Sequence, residues 1–124
     1  MSSLTDMQEW QVLQKQFELE ADNPILKYFE SGQNRFARWS HKLGGLFVDY
    51  SKHRVSDKTM QLLMDLAMAR ELESSRDQMF AGNHINFTED RAVLHIALRN
   101  QSARPIRANG EDVMPKIKQV LQRL

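Results

Sequence analysis

Gly82-Asn83-His84-Ile85-Asn86-Phe87-Thr88-Glu89-Asp90-Arg91-Ala92-Val93-Leu94-His95-Ile96-Ala97-Leu98-Arg99-Asn100 is the stretch on which the fold class turns. It opens with a glycine that suits the left-handed residue ending a helix. Two helix caps follow. Asn86 has Glu89 three residues on, the spacing of a capping box. Thr88 precedes Glu89 and Asp90, acids that favour the positive end of a new helix. Ala92 to Leu98 is then almost continuously apolar. As a strand it would face Leu94, Ile96 and Leu98 one way; as a helix it would line up Arg91, His95 and Arg99 four apart. The upstream caps favour the helix.

Upstream, an amphipathic helix is expected from about Asp6 to Glu20. Thr5 and Gln8 have capping-box spacing, and Met7, Trp10, Leu13 and Phe17 recur at helical intervals. Asn23-Pro24 ends it and starts a short apolar helix through Ile25, Leu26, Tyr28 and Phe29, which Gly32 interrupts. Arg35, Phe36 and Trp39 lie on a third helical piece ending near Ser40. Leu46 to Tyr50 reads as a strand behind Gly44-Gly45. Its partner is either Ile106 to Ala108, beside the Asn109-Gly110 turn signal, or a strand missing from the chain.

Ser56 can cap a helix whose apolar stripe is Met60, Leu63, Met64, Ala67 and Met68, read as core packing. Helix continues from Arg70 to Phe80, with a break near Glu73-Ser74. After a loop and short strand, a last helix starts near Asp112 with Pro115 in its first turn. Val113, Ile117, Val120, Leu121 and Leu124 line one face. The chain stops on Leu124 still in phase, as a truncated helix would, or as a natural one that frays. The expected class is mainly α with a minor β element, a short strand or hairpin.

Bulk properties bound the function. With 124 residues the chain forms one domain by default. Hydrophobic content of 41% and charged content of 27% are those of an ordinary globular domain. A formal charge of +1 predicts neither a nucleic-acid nor a membrane partner. No secretory signal is evident, and a cytoplasmic protein is the simplest expectation. The absence of cysteine excludes disulfides and thiolate chemistry. His41, His53, His84 and His95 lack the spacing of a helical ligand pair, so no metal or cofactor is expected. Gly44-Gly45 lacks the lysine and hydroxyl of a phosphate loop. Ser51 could donate to an anion, though turn chemistry explains it more simply. Trp10 and Trp39 are core or interface anchors. The best local candidate is Arg91, His95 and Arg99, as an anion site or as structural ion pairs with Glu89 and Asp90. The structural role is favoured, and Asn86, Thr88 and Glu89 are read mainly as caps.

Three blocks carry a resemblance. One is Met79-Phe80-Ala81-Gly82 with Ile85-Asn86, Thr88-Glu89, Arg91-Ala92-Val93-Leu94-His95 and Ala97-Leu98-Arg99-Asn100. The others are Val48-Asp49-Tyr50-Ser51-Lys52, and Pro105-Ile106 with Asn109-Gly110-Glu111-Asp112-Val113-Met114-Pro115. In this order they resemble the N-terminal region of the glucose-6-phosphate isomerase (phosphoglucose isomerase) family. Ala81 and His84 depart from many members.

The resemblance implies that residues 1–124 are a mainly helical segment of a larger α/β sugar-isomerase fold, packed on its own downstream α/β domains. It implies a metal-free aldose–ketose isomerase, homodimeric and cytoplasmic, acting on a sugar phosphate. The family's catalytic and phosphate-binding groups match no position here, so this segment alone is expected to be inactive. Asn86, Thr88, Glu89, Arg91, His95 and Arg99 match the family's pattern as structural residues. The rival reading is a free-standing helical interaction domain without catalysis. Either way an apolar surface left uncovered is expected.

Overall fold

The structure is a computed structural model describing residues 3–30 and 34–123. The expected break at Gly32 and the apolar end at Leu124 lie outside the described residues. Among the described residues the architecture is mainly α, with two short antiparallel hairpins. The chain divides into two compact units, Met1–Ala69 and Arg70–Leu124.

In the first unit a 3-10 turn, Leu4–Asp6, leads into helix α1, Gln8–Glu20. Thr5 does not cap α1. The turn already orders it, its hydroxyl meets that of Ser3 at 2.9 Å, and Met7 takes the cap position. Helix α2 is Ile25–Glu30, α3 is Arg35–Arg38 and α4 is Asp57–Ala69. Ser56 caps α4 as expected, its Oγ accepting the Thr59 N–H at 3.1 Å.

Helix α1 packs on α4, but the contact line is rotated from the predicted stripes. Leu62 is buried, with Thr59, Met60, Leu66 and Ala67 half-buried; Leu63, Met64 and Met68 are exposed. On α1 the half-buried line runs through Trp10, Leu13, Gln16 and Glu20, and Phe17 is exposed. A polar pair explains the shift. Glu20 Oε2 accepts from the Thr59 hydroxyl at 2.7 Å, and its Oε1 accepts from Gln16 Nε2 at 2.8 Å. Burial pushes the Glu20 carboxyl up, yet hydrogen bonds from Ser56, Thr59 and Gln16 hold it below its usual range.

Strand β1, Ser40–Leu43, pairs antiparallel with β2, Leu46–Asp49. The expected strand therefore exists, but its partner is local, not Ile106 to Ala108. Gly44 at φ 58° makes a two-residue turn, which closes a hairpin at far lower entropic cost than a distant segment.

In the second unit, α5 is Leu72–Phe80. The break expected near Glu73-Ser74 falls at Glu71, which is left-handed at φ 52°. The end of α5 is a full Schellman motif: Gly82 N–H donates to Met79 O at 3.2 Å and Asn83 N–H to Gln78 O at 3.0 Å. Strand β3, Arg107–Ala108, pairs with β4, Glu111–Asp112, around Asn109 and Gly110, both at positive φ as a type I′ turn requires. Helix α7, Met114–Leu121, follows at once, and Asp112 Oδ1 accepts the Met114 N–H at 3.0 Å. Met114 is buried, and α7 packs on α6, His95–Leu98, whose Ala97 is also buried.

The helix expected over Ala92 to Leu98 is thus one turn, His95–Leu98, and neither Asn86 nor Thr88 caps it. Asn86 and Arg91 exchange backbone bonds of 3.1 and 3.2 Å, closing residues 86–91 into a turn. Asp90 within it is left-handed at φ 47°, which interrupts any helix started at the caps.

Gly82 has a second constraint. It is buried at φ 75°, and a Cβ there would lie 1.9 Å from the Arg107 carbonyl oxygen. Gly82→Ala is therefore expected to cost about 2–4 kcal/mol, combining left-handed strain with a backbone shift. Urea unfolding measures it; a loss below about 0.5 kcal/mol, the scale of an uninvolved surface change, would remove the constraint.

Candidate functional site

The densest polar constellation in the first unit surrounds Arg35, a residue that the sequence reading placed only on a helix. Its side chain is 6% exposed. Arg35 Nε donates to Ser51 O at 2.6 Å, and Nη2 donates to His53 O and Val55 O, both at 2.9 Å. The guanidinium lies 4.7 Å from the Trp39 ring centre, 5.2 Å from Tyr28 and 5.7 Å from Phe29. Carbonyl dipoles and aromatic faces together compensate a buried charge. A sequence signal existed, namely Arg35 and Arg38 between Phe29 and Trp39, but no periodicity predicts which of the two is buried or which carbonyls it reaches.

The Asp49-Tyr50-Ser51 block feeds this clasp. Asp49 Oδ1 accepts the Ser51 N–H at 2.9 Å, and that bond holds the Asp49 carboxyl below its usual range. Tyr50 meets Trp39 edge-on at 5.4 Å and its hydroxyl pairs with His41 Nε2 at 2.5 Å. Ser51 is buried in turn chemistry. Arg38 nearby is exposed and bonds both oxygens of Asp57, at 2.8 and 2.9 Å.

In the second unit the structure gathers four of the six sequence candidates into one loop. Thr88 Oγ1 donates to Asn86 Oδ1 at 2.7 Å, and Asn86 Nδ2 to Glu89 Oε2 at 3.2 Å. Arg91 Nε donates to the same Glu89 oxygen at 2.9 Å, and Arg91 Nη2 also reaches it. His95 and Arg99 stand apart on α6 and just after it, where Arg99 Nη1 donates to His95 O at 3.3 Å. The expected Arg91–His95–Arg99 edge does not form, because Arg91 belongs to the turn and not to the helix.

His84 ties this loop to the β3–β4 turn. Its Nδ1 is 3.0 Å from Asp90 Oδ1 and its Nε2 is 2.5 Å from Asn109 Oδ1. Oxygens on both ring nitrogens favour the doubly protonated imidazole, and its hydrogen bonds to Asp90 and Asn109 raise its pKa above 6.5. His84, Asp90, Arg91, Asn109 and Glu111 line a cleft of about 270 Å³.

Chemically, these groups are engaged within the chain. Arg35 is engaged by main-chain oxygens, Arg91 by Glu89 and His84 by Asp90 and Asn109. Among the described residues, no three His, Asp or Glu side chains gather as a metal ion would require. No helix there is long and apolar enough to cross a membrane.

Residues 49–124 match the family model described as Phosphoglucose isomerase. The chain belongs to the phosphoglucose isomerase family. The glucose-6-phosphate isomerase 1 of Chromobacterium violaceum is 46% identical over all 124 residues, which make up 23% of that protein. The corresponding protein of Neisseria gonorrhoeae is 44% identical, and the glucose-6-phosphate isomerase of Methylococcus capsulatus 43%, with the same coverage. The chain thus spans about a quarter of the length of the curated relatives it matches. The family match begins at Asp49, the last residue of β2 and the first of the block clasped by Arg35.

Two outcomes test these geometries. Arg35→Met strips three carbonyls of their donor and should cost about 2–4 kcal/mol, whereas Arg38→Met, losing an exposed ion pair, should cost under about 1 kcal/mol. Urea unfolding of the two variants side by side checks the difference; equal losses would show that the clasp is not what holds the loop.

For His84 the sign follows from its raised folded pKa. Its stabilisation is complete below the unfolded value near 6.5 and is lost as pH rises through the folded value. The wild type should therefore exceed His84→Asn in melting temperature most at acid pH, with the gap closing as pH rises. A gap that is flat or widens with pH contradicts the bridge.

Proposed function

We propose that residues 1–124 are the N-terminal, mainly helical region of a glucose-6-phosphate isomerase. The whole enzyme interconverts glucose 6-phosphate and fructose 6-phosphate in the cytoplasm, in glycolysis and gluconeogenesis, as a homodimer. The observation that carries this reading is the 43–46% identity running the full length of the chain to proteins of that name.

The reaction moves a proton between adjacent carbons through an enediol(ate). It needs a positioned base and an electrostatic stabiliser for the developing oxyanion. In this reading both come from the rest of the isomerase chain, and the present segment is inactive alone. The engagement of Arg35, Arg91 and His84 with the chain's own oxygens supports that division of labour. Asn86, Thr88, Glu89 and Arg91 hold a loop, His95 and Arg99 an adjoining helical turn, and none touches substrate.

The test is turnover of fructose 6-phosphate by two proteins. One is the purified 124-residue chain. The other is a chimera in which this chain replaces the matching part of the Chromobacterium violaceum protein. The chain alone should show no activity above a mock preparation, and the chimera should be active. Turnover by the chain alone, surviving purification to constant specific activity, would overturn the assignment.

A further inference from the structure

The β1–β2 hairpin is poorly supported by what surrounds it. Among the described residues its two four-residue strands pair only with each other. The register puts Leu43 opposite Leu46 and His41 opposite Val48, so Leu43, Leu46 and Val48 share one face. Leu43 is 80% exposed, Leu46 62% and Val48 45%. On the other face Phe47 stays 55% exposed although its ring meets that of Phe36 at 6.2 Å. A lone two-stranded hairpin is marginal in water and needs a third layer against an apolar face. Left bare, such an edge invites unwanted pairing.

We propose that this hairpin is the docking surface by which the segment seats on the remainder of its isomerase chain. Leu43, Leu46 and Val48 enter an apolar recess of that remainder. The inference rests on the reading that residues 1–124 act within a whole isomerase. The occupant follows from length. The relatives carry this segment as 23% of one polypeptide, so the rest is tethered to the hairpin at high effective concentration, whereas a second copy must be recruited from solution.

The experiment compares amide hydrogen exchange over residues 40–49 in the free 124-residue chain and in the chimera with the Chromobacterium violaceum remainder. Docking should slow exchange in the chimera by roughly tenfold or more. A double variant, Leu43→Thr with Leu46→Thr, keeps strand preference but removes the apolar face. It should lower the melting temperature of the chimera and leave that of the free chain unchanged.

Equal exchange in both proteins, or an equal melting shift in both, overturns the proposal. So does a free chain that sediments as a dimer and that the double variant converts to monomer, since the occupant is then a second copy. An active chimera with an unprotected hairpin refutes the docking alone. An inactive chimera with a protected hairpin refutes the functional reading and leaves the docking standing.

Discussion

The first unit depends on a buried positive charge that, among the described residues, bonds main-chain oxygens and no carboxylate. Taking a guanidinium out of water is costly unless its donors are satisfied. Arg35 gives three of its N–H groups, on Nε and Nη2, to the carbonyls of Ser51, His53 and Val55, three consecutive odd residues of one connection. That connection joins the end of β2 to Ser56, the cap of α4. One side chain therefore sets both where the hairpin ends and where α4 begins. Trp39, stacked on the guanidinium and touched by Tyr50, carries the same constraint into β1 through the 2.9 Å bond from Tyr50 N–H to Trp39 O.

What the sequence made legible was local. The starts of α2 and α4, the glycine stop at Gly82 and the proline start of α7 each follow from a single residue's backbone or capping chemistry. Where two signals competed, the sequence was ambiguous and tertiary or turn contacts decided. Asn86 and Thr88 have cap chemistry, but they spend it within a turn closed by Arg91. Phe17, Met64 and Met68 fit an apolar stripe, but the Glu20–Thr59 pair turns the α1–α4 contact away from them. Gly-Gly behind Ser40 to Leu43 was a readable hairpin signal, yet Ser40, His41 and Lys42 gave no apolar alternation to match it. The candidate site was half legible. In the second unit the sequence marked out Asn86, Thr88, Glu89 and Arg91, which the structure brings together in one loop, while Arg35 was missed because three main-chain acceptors leave no mark in a sequence.

These engagements bear on the proposal that the segment belongs to a sugar-phosphate isomerase. A cation already bonded to its own chain is a poor recruit for a phosphate, since binding one would strand a carbonyl or a carboxylate. In that proposal the segment contributes shape and the placement of loops. Of the family-patterned Asp49, Tyr50 and Ser51, only Ser51 is buried; Asp49 is exposed, yet its carboxylate accepts the Ser51 N–H beside the clasp around Arg35.

The approach of Gly82 to Arg107 is a contact between two main chains, 25 positions apart in the numbering, with no side chain in between. Its demands on the two positions are therefore unequal. Position 82 admits one residue type, whereas position 107 contributes only a carbonyl oxygen, which every amino acid supplies. Mutational drift at 107 is invisible to this contact. Loops in the intervening chain can also lengthen at a cost that grows only with the logarithm of their size. The second unit thus stores a long-range structural instruction in a single codon and leaves its partner and the path between them free to change.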